Sequence, residues 1–189
     1  MQTAATRPLR ADARRNRERV LVAARQVFGE YGLEAQMDDV ARAAGVGVGT
    51  VYRHFPTKEA VVEAIARGGY EDLCAIARHA LEQDDPWQAF SGFMWEGARL
   101  HRRDRAQCEL NSTRPDVVRR VAGDKAELLG MVAELIARGQ TAGVLRADLS
   151  KDDMPTLWCS LGAAQQHSAE DAGWERYLSL MLDGLRAQA

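Results

Sequence analysis

Residues 36–61 read Gln36-Met37-Asp38-Asp39-Val40-Ala41-Arg42-Ala43-Ala44-Gly45-Val46-Gly47-Val48-Gly49-Thr50-Val51-Tyr52-Arg53-His54-Phe55-Pro56-Thr57-Lys58-Glu59-Ala60-Val61. Asp38 to Ala44 predicts a short helix. Gly45 stands where a helix end needs a left-handed residue, and Val46-Gly47 completes a tight turn. A second short helix is expected from Val48 to Phe55, ended by Pro56, with Thr57 capping the helix after it. Two short helices joined by a three-residue glycine turn form a helix-turn-helix when a small apolar core holds them at a steep angle. Val40, Ala41, Ala44, Val46, Val51 and Phe55 can supply that core. The residues left outside on the second helix are Val48, Gly49, Thr50, Tyr52, Arg53 and His54. Small residues at 47–50 would let the backbone approach the floor of a DNA groove. Thr50 and Arg53 could donate to base edges, while Tyr52, His54, Lys58 and Arg42 could reach phosphates. An αα-hairpin inside a helical bundle would need the same glycine turn and buried valines, so spacing alone leaves that alternative open.

Working outward, Val20, Ala24, Val27, Phe28 and Tyr31 place one apolar stripe on a preceding helix that should stop near Gly32. Downstream, a long helix is expected over 58–82, interrupted only by Gly68-Gly69, a pair that could kink it or act as a hinge. Asp85 as N-cap and Pro86 at the first helical position start a helix to about Arg103. Turn formers at 111–115 precede a short helix (116–122) and a long one (124–141), which Gly143 closes. Three helices then repeat one spacing: Leu128, Met131, Val132, Leu135, Ile136; Met154, Leu157, Trp158, Leu161, Gly162, Gln165; and Trp174, Tyr177, Leu178, Met181, Leu182, Leu185. Each presents one apolar face, as helices of a bundle do. The expected fold class is all-α, with about nine helices.

The chain has 189 residues, 46% hydrophobic and 28% charged, which is globular composition and excludes a collagen-like or wholly disordered chain. Charge is uneven. Residues 1–58 carry ten basic and six acidic side chains, whereas 59–189 carry 15 and 21, a basic head on an acidic body. Such a pattern suits one end meeting a polyanion, although a solvated N-terminal helix would also account for Arg10, Arg14, Arg15, Arg17 and Arg19. Three cysteines (Cys74, Cys108, Cys159) cannot complete a disulfide framework, and no apolar leader begins the chain, so the expected compartment is the cytoplasm. No stretch reaches the ~20 apolar residues of a membrane span. The four histidines are scattered, with no close ligand pair, so neither a metal nor another cofactor is expected. Cys108 near His101 lacks a readable third group or oxyanion loop, and no catalytic constellation is expected.

The segment 36–61, with Ala24, Phe28 and Tyr31-Gly32 before it, resembles the DNA-binding domain of the TetR family of bacterial transcriptional regulators, over about residues 13–65. The resemblance implies an all-helical homodimer whose N-terminal three-helix heads bind a palindromic double-stranded DNA operator, and whose C-terminal domains bind a small molecule that releases it. The division it implies is a flexible basic arm (1–12), a helix-turn-helix domain (13–57), a connecting helix (58–82), and an effector-binding and dimerisation domain (83–189). DNA contacts then fall to Arg42, Gly47, Val48, Gly49, Thr50, Tyr52, Arg53, His54 and Lys58. A largely apolar effector would meet Phe93, Met94, Trp95, Met131 and Trp158, with His101, Cys108, Asn111 and Gln165 as further lining. Trp158, Leu161, Trp174, Leu178, Met181 and Leu182 are expected in a four-helix dimer interface. Gln36 and Gly47 stand where the family commonly has hydroxyl residues, and Val48 is apolar where a polar residue is frequent. A DNA-binding regulator without an effector, or a helical enzyme, are the rival expectations.

Overall fold

A computed structural model of the chain describes residues 6–104, 106, 114–167 and 171–187. Cys108 and Asn111 lie outside the described residues, as do residues 1–5 of the expected arm. The described residues form α1 (Thr6–Tyr31), α2 (Met37–Ala44), α3 (Val48–His54), α4 (Lys58–Leu81), α5 (Pro86–Arg103), α6 (Pro115–Arg120), α7 (Ala122–Thr141), α8 (Met154–His167) and α9 (Asp171–Leu185). The only extended pairing among them is an isolated bridge between Leu145 and Arg186. The fold class is all-α. α1 begins at Thr6, inside the segment expected as an arm.

Helix ends follow the local chemistry. Gly32, Gly45 and Gly143 have positive φ (77°, 63° and 69°), and each follows a helix end. The N–H of Gly45 donates to Arg42 O and that of Val46 to Ala41 O, both at 3.1 Å, the paired bonds of a left-handed helix stop. Thr57 Oγ1 accepts from Ala60 N–H at 3.1 Å and Asp85 Oδ1 from Gln88 N–H at 2.9 Å, so both expected caps form. Gly68-Gly69 does not interrupt α4, which is continuous through both. The physical reason for glycine at 68 is a close approach: a Cβ there would stand 2.5 Å from Arg25 Nη2.

The chain divides into two compact units, Met1–Gly68 with Asp104–Val121, and Gly69–Arg103 with Ala122–Ala189. The first, the head, has its own core of Val20, Ala24, Val27 and Phe28 on α1, Val40 and Ala44 on α2, Val51 and Phe55 around α3, and Val61, Val62 and Ile65 on α4, all buried. Truncating a fully buried phenylalanine such as Phe28 costs about 3–5 kcal/mol, comparable with a small domain's whole stability. Val46 is half-buried and Tyr31 is 67% exposed, so neither belongs to that core as the periodicity suggested. Position 46 lies in the turn, where no helical face dictates burial, and Tyr31 is the last residue of its helix. In the second unit, the body, Phe90, Phe93 and Met94 on α5 are buried, as are Leu128, Val132, Leu135 and Ile136 on α7. Met154 and Leu161 on α8 and Trp174, Leu178, Leu182 and Leu185 on α9 are buried as well. Among the described residues no helix is long and apolar enough to cross a membrane.

Candidate nucleic-acid interface

The helix-turn-helix is assembled from α2, the Gly45 turn and α3, and α1 helps hold it. Arg19 of α1 donates from Nη2 to Ala44 O at 2.7 Å, satisfying a carbonyl that α2 leaves orphaned at its end. The guanidinium of Arg17 lies 5.0 Å from the centroid of the Phe55 ring. Two of the arginines that made the N-terminal segment basic are thus used inside the head. At the start of α2, Asp39 accepts from Gln36 N–H at 3.3 Å, so the acidic residue, not Gln36's side chain, covers that donor; Gln36 Nε2 donates to Glu34 O instead.

α3 buries one side and presents the other. Val51 is fully buried, whereas Val48 is 36% and Tyr52 46% exposed. Gly49 and Arg53 are exposed, and Thr50 and His54 are half-buried. Gly47 is the N-cap, in extended conformation with no side-chain cap, and its carbonyl accepts from Thr50 N–H at 2.8 Å. A Cβ at Gly47 or at Gly49 would meet nothing within 4 Å. Glycine inside a helix costs roughly 1 kcal/mol relative to alanine. Among the described residues, no packing repays that at Gly49.

Of the expected phosphate contacts, Arg42 is exposed and holds Asp39 Oδ1 at 3.1 Å. An exposed pair of this kind is worth about 0.2–1 kcal/mol, so exchanging the carboxylate for a phosphate is inexpensive. Lys58, half-buried at the start of α4, sets its ammonium 5.9 Å from the Phe28 ring centroid, a position with less reach than its sequence place implied.

The expected effector residues separate into groups. Phe93 meets Trp158 edge to face at 6.1 Å, and His101 lies 6.3 Å from the same indole. Gln165, buried on α8, donates from Nε2 to Ala98 O at 2.8 Å and turns Oε1 to His101 Nδ1 at 3.0 Å. Trp95 belongs elsewhere, 6.0 Å from Trp174 with the Arg99 guanidinium 5.6 Å from its ring. Met94 is fully buried and Met131 half-buried. The residue that sequence reasoning missed is Gly97, against which Trp158 packs: a Cβ there would stand 2.7 Å from the indole.

Of the expected dimer residues, Trp158 and Met181 are half-buried. Leu161 and Leu178 are fully buried, and Trp174 and Leu182 are 2% and 4% exposed, so their own chain already covers them. Their stripes close the body's core. The outward face of α9 carries Gly173, Tyr177, Leu180, Met181 and Gly184, with Leu180 52% exposed and Tyr177 36%. On α8 the outward positions include Cys159 and Ala163. Cys159 is exposed, whereas Cys74 is buried, and burial pushes its thiol up and away from reactivity. No group of three or more metal-ligating side chains occurs among the described residues.

Comparison with known proteins adds to this geometry. The family model for bacterial regulatory proteins of the tetR family matches residues 20–65, and the model for the transcriptional regulator SbtR-like C-terminal domain matches residues 85–187. The HTH-type transcriptional repressor Rv1474c of Mycobacterium tuberculosis is 30% identical over 176 residues, covering 91% of this chain and 81% of that protein. A TetR transcription regulatory protein from Mycobacterium vanbaalenii superposes with a TM-score of 0.69 at 37% identity, over 95% of this chain and 99% of that one. The TetR transcriptional regulator SCO0520 from Streptomyces coelicolor gives 0.69 at 30% identity, over 92% and 99%.

Proposed function

The chain belongs to the TetR family of bacterial transcriptional regulators, and on that premise we propose that it is a repressor that binds a palindromic operator as a homodimer and is released by a small molecule. The observation that carries the DNA contact is the outer face of α3, where glycines at 47 and 49 border open space and Tyr52 and Arg53 are exposed. Thr50, Arg53 and the Val48 methyls read base edges. Gly47 and Gly49 let the backbone come close, and Arg42, Tyr52, His54 and Lys58 hold phosphates.

The effector site is built around Phe93, Trp158, His101 and Gln165, an aromatic wall with one oriented polar pair, suited to a largely apolar molecule with a hydrogen-bonding group. The partner subunit meets the outward face of α9, at Tyr177, Leu180 and Met181, with Cys159 and Ala163 of α8 beside them. A two-fold axis through that face makes the interface isologous and the operator palindromic. Binding of purified protein to a duplex from its own upstream region, followed across salt concentration, tests the reading. A DNA-binding regulator shows steep loss of affinity with salt, and absence of salt-dependent affinity for that duplex and for duplexes selected from random sequence would sink it.

A further inference from the structure

Gln165 of α8 is held at three points against α5, within the body. Its backbone carbonyl accepts from Arg102 Nη1 at 3.4 Å, its Nε2 donates to Ala98 O at 2.8 Å, and its Oε1 stands 3.0 Å from His101 Nδ1. Gln165 is buried, and Ala98 fully so. Only one placing of the protons satisfies these contacts. A carbonyl oxygen accepts and never donates, so the amide must turn its NH2 to Ala98; the reverse orientation would set two acceptors against each other at 2.8 Å away from water. Oε1 is then the atom that faces His101, and since it too can only accept, Nδ1 must carry the ring proton. In the neutral imidazole the other nitrogen, Nε2, therefore keeps its lone pair. The same ring lies 6.3 Å from the Trp158 indole, which Phe93 meets edge to face.

We propose that Gln165 fixes His101 as a hydrogen-bond acceptor, so that the effector site selects an apolar ring compound bearing a hydroxyl group. A hydroxyl brings the proton that Nε2 lacks, and its ring lies among the aromatic side chains. Ether and carboxylate oxygens bring no proton and set lone pair against lone pair. Gln165 acts through His101 and is a positioning residue. The selection rests on the effector-site reading of Phe93, Trp158, His101 and Gln165. A merely structural tie between α5 and α8 would leave both the ring's proton and the choice of ligand unaffected.

Long-range 15N–1H correlation spectra of the full-length chain at pH 8, well above the ordinary histidine pKa of about 6.5, read the tautomer directly, with His101→Phe identifying the signals. The expected result is a proton on Nδ1 and none on Nε2. Titrations followed at the Trp158 indole resonance, with phenol against anisole and 2-naphthol against 2-methoxynaphthalene, read the selection. The hydroxyl member of a pair is expected to bind about tenfold more tightly. In Gln165→Met that preference falls to within about twofold, because nothing then holds the proton on Nδ1. His101→Phe, which keeps a ring in place, shows the same loss should Gln165→Met fail to fold. A parent ring protonated on Nε2 instead, equal binding within each pair, or a preference that persists in the folded variants overturns the proposal. Binding without preference leaves the effector-site reading standing, whereas a Trp158 signal that no probe moves removes that reading and the selection with it.

Discussion

The indole of Trp158 packs on the backbone of Gly97, so closely that a Cβ at 97 would stand 2.7 Å from Cη2 of the ring and 3.4 Å from Leu73 Cδ2. Both flanking atoms belong to half-buried side chains in a packed body, and the ring has no room to retreat without disturbing Phe93 and His101. Gly97→Ala should therefore destabilise the body by about 1–3 kcal/mol, the usual cost of overpacking. Gly92 on the same helix meets nothing within 4 Å, so Gly92→Ala should be neutral or stabilise by up to ~1 kcal/mol. Urea titrations of the two variants decide this, and equal effects would refute the close packing.

Three glycines of the helix-turn-helix should respond differently to alanine. Gly45 is left-handed at φ 63° and its added Cβ would lie 3.2 Å from Arg19 Nη2, so Gly45→Ala should cost about 1–2 kcal/mol of stability. Gly47→Ala should lower stability by a few tenths of a kcal/mol, through a poorer N-cap. Gly49→Ala should leave the fold intact or firmer, by up to ~1 kcal/mol, while weakening operator binding. Melting curves and binding isotherms on the same samples separate the two effects; unchanged affinity in Gly49→Ala would mean that the backbone there does not approach DNA.

Charge contacts and base contacts should also separate. Removing Lys58, Tyr52 or Arg42 is expected to weaken binding to all duplexes alike, and each lost cationic phosphate contact should reduce the slope of log K against log salt by about 0.9. Changing Thr50 or Arg53 should alter which duplex is preferred, by about 1–3 kcal/mol per base contact. Competition assays with a panel of single-base variants read this directly, and an equal loss of preference from every substitution would contradict the division.

On α9, two leucines two residues apart should behave oppositely. Leu178 is fully buried, so Leu178→Arg should abolish cooperative folding, whereas Leu180 is 52% exposed and Leu180→Arg should give a folded monomer. Circular dichroism and sedimentation equilibrium distinguish the outcomes. A folded dimer from Leu180→Arg would move the interface away from this face.

The Asp116 carboxyl is held down to about 2, chiefly by its hydrogen bonds from Arg114. A depressed folded-state pKa adds stability above the unfolded carboxylate range that disappears as pH falls through about 4 to about 2. Asp116→Asn should lose that acid-range increment and leave the neutral-pH recognition helix unchanged, as acid titrations followed by circular dichroism would register. An identical acid limb in parent and variant would contradict the linkage.

Apart from the start of α1, the sequence by itself determined where the described helices run and how they stop, because caps, prolines and left-handed glycines act over a few residues: Asp85-Pro86, Thr57 and Gly45 were all readable. It also determined the outer face of α3, since a seven-residue helix with Val51 inside has few ways to turn. Only the tertiary structure decided what covers each apolar stripe. Periodicity states that Leu161, Trp174, Leu178 and Leu182 share a buried face, but the same stripe serves a monomer core or a dimer, and packing assigned it to the core. In the same way, Trp95 and Phe93 are two residues apart on α5 and so about 200° apart around it, and the neighbours that each meets come from distant segments. The pairing of Arg25 with Asp104 across 79 residues leaves no trace in local pattern, because a long charged side chain on an exposed-looking helix turn acquires a partner only when the chain returns to it.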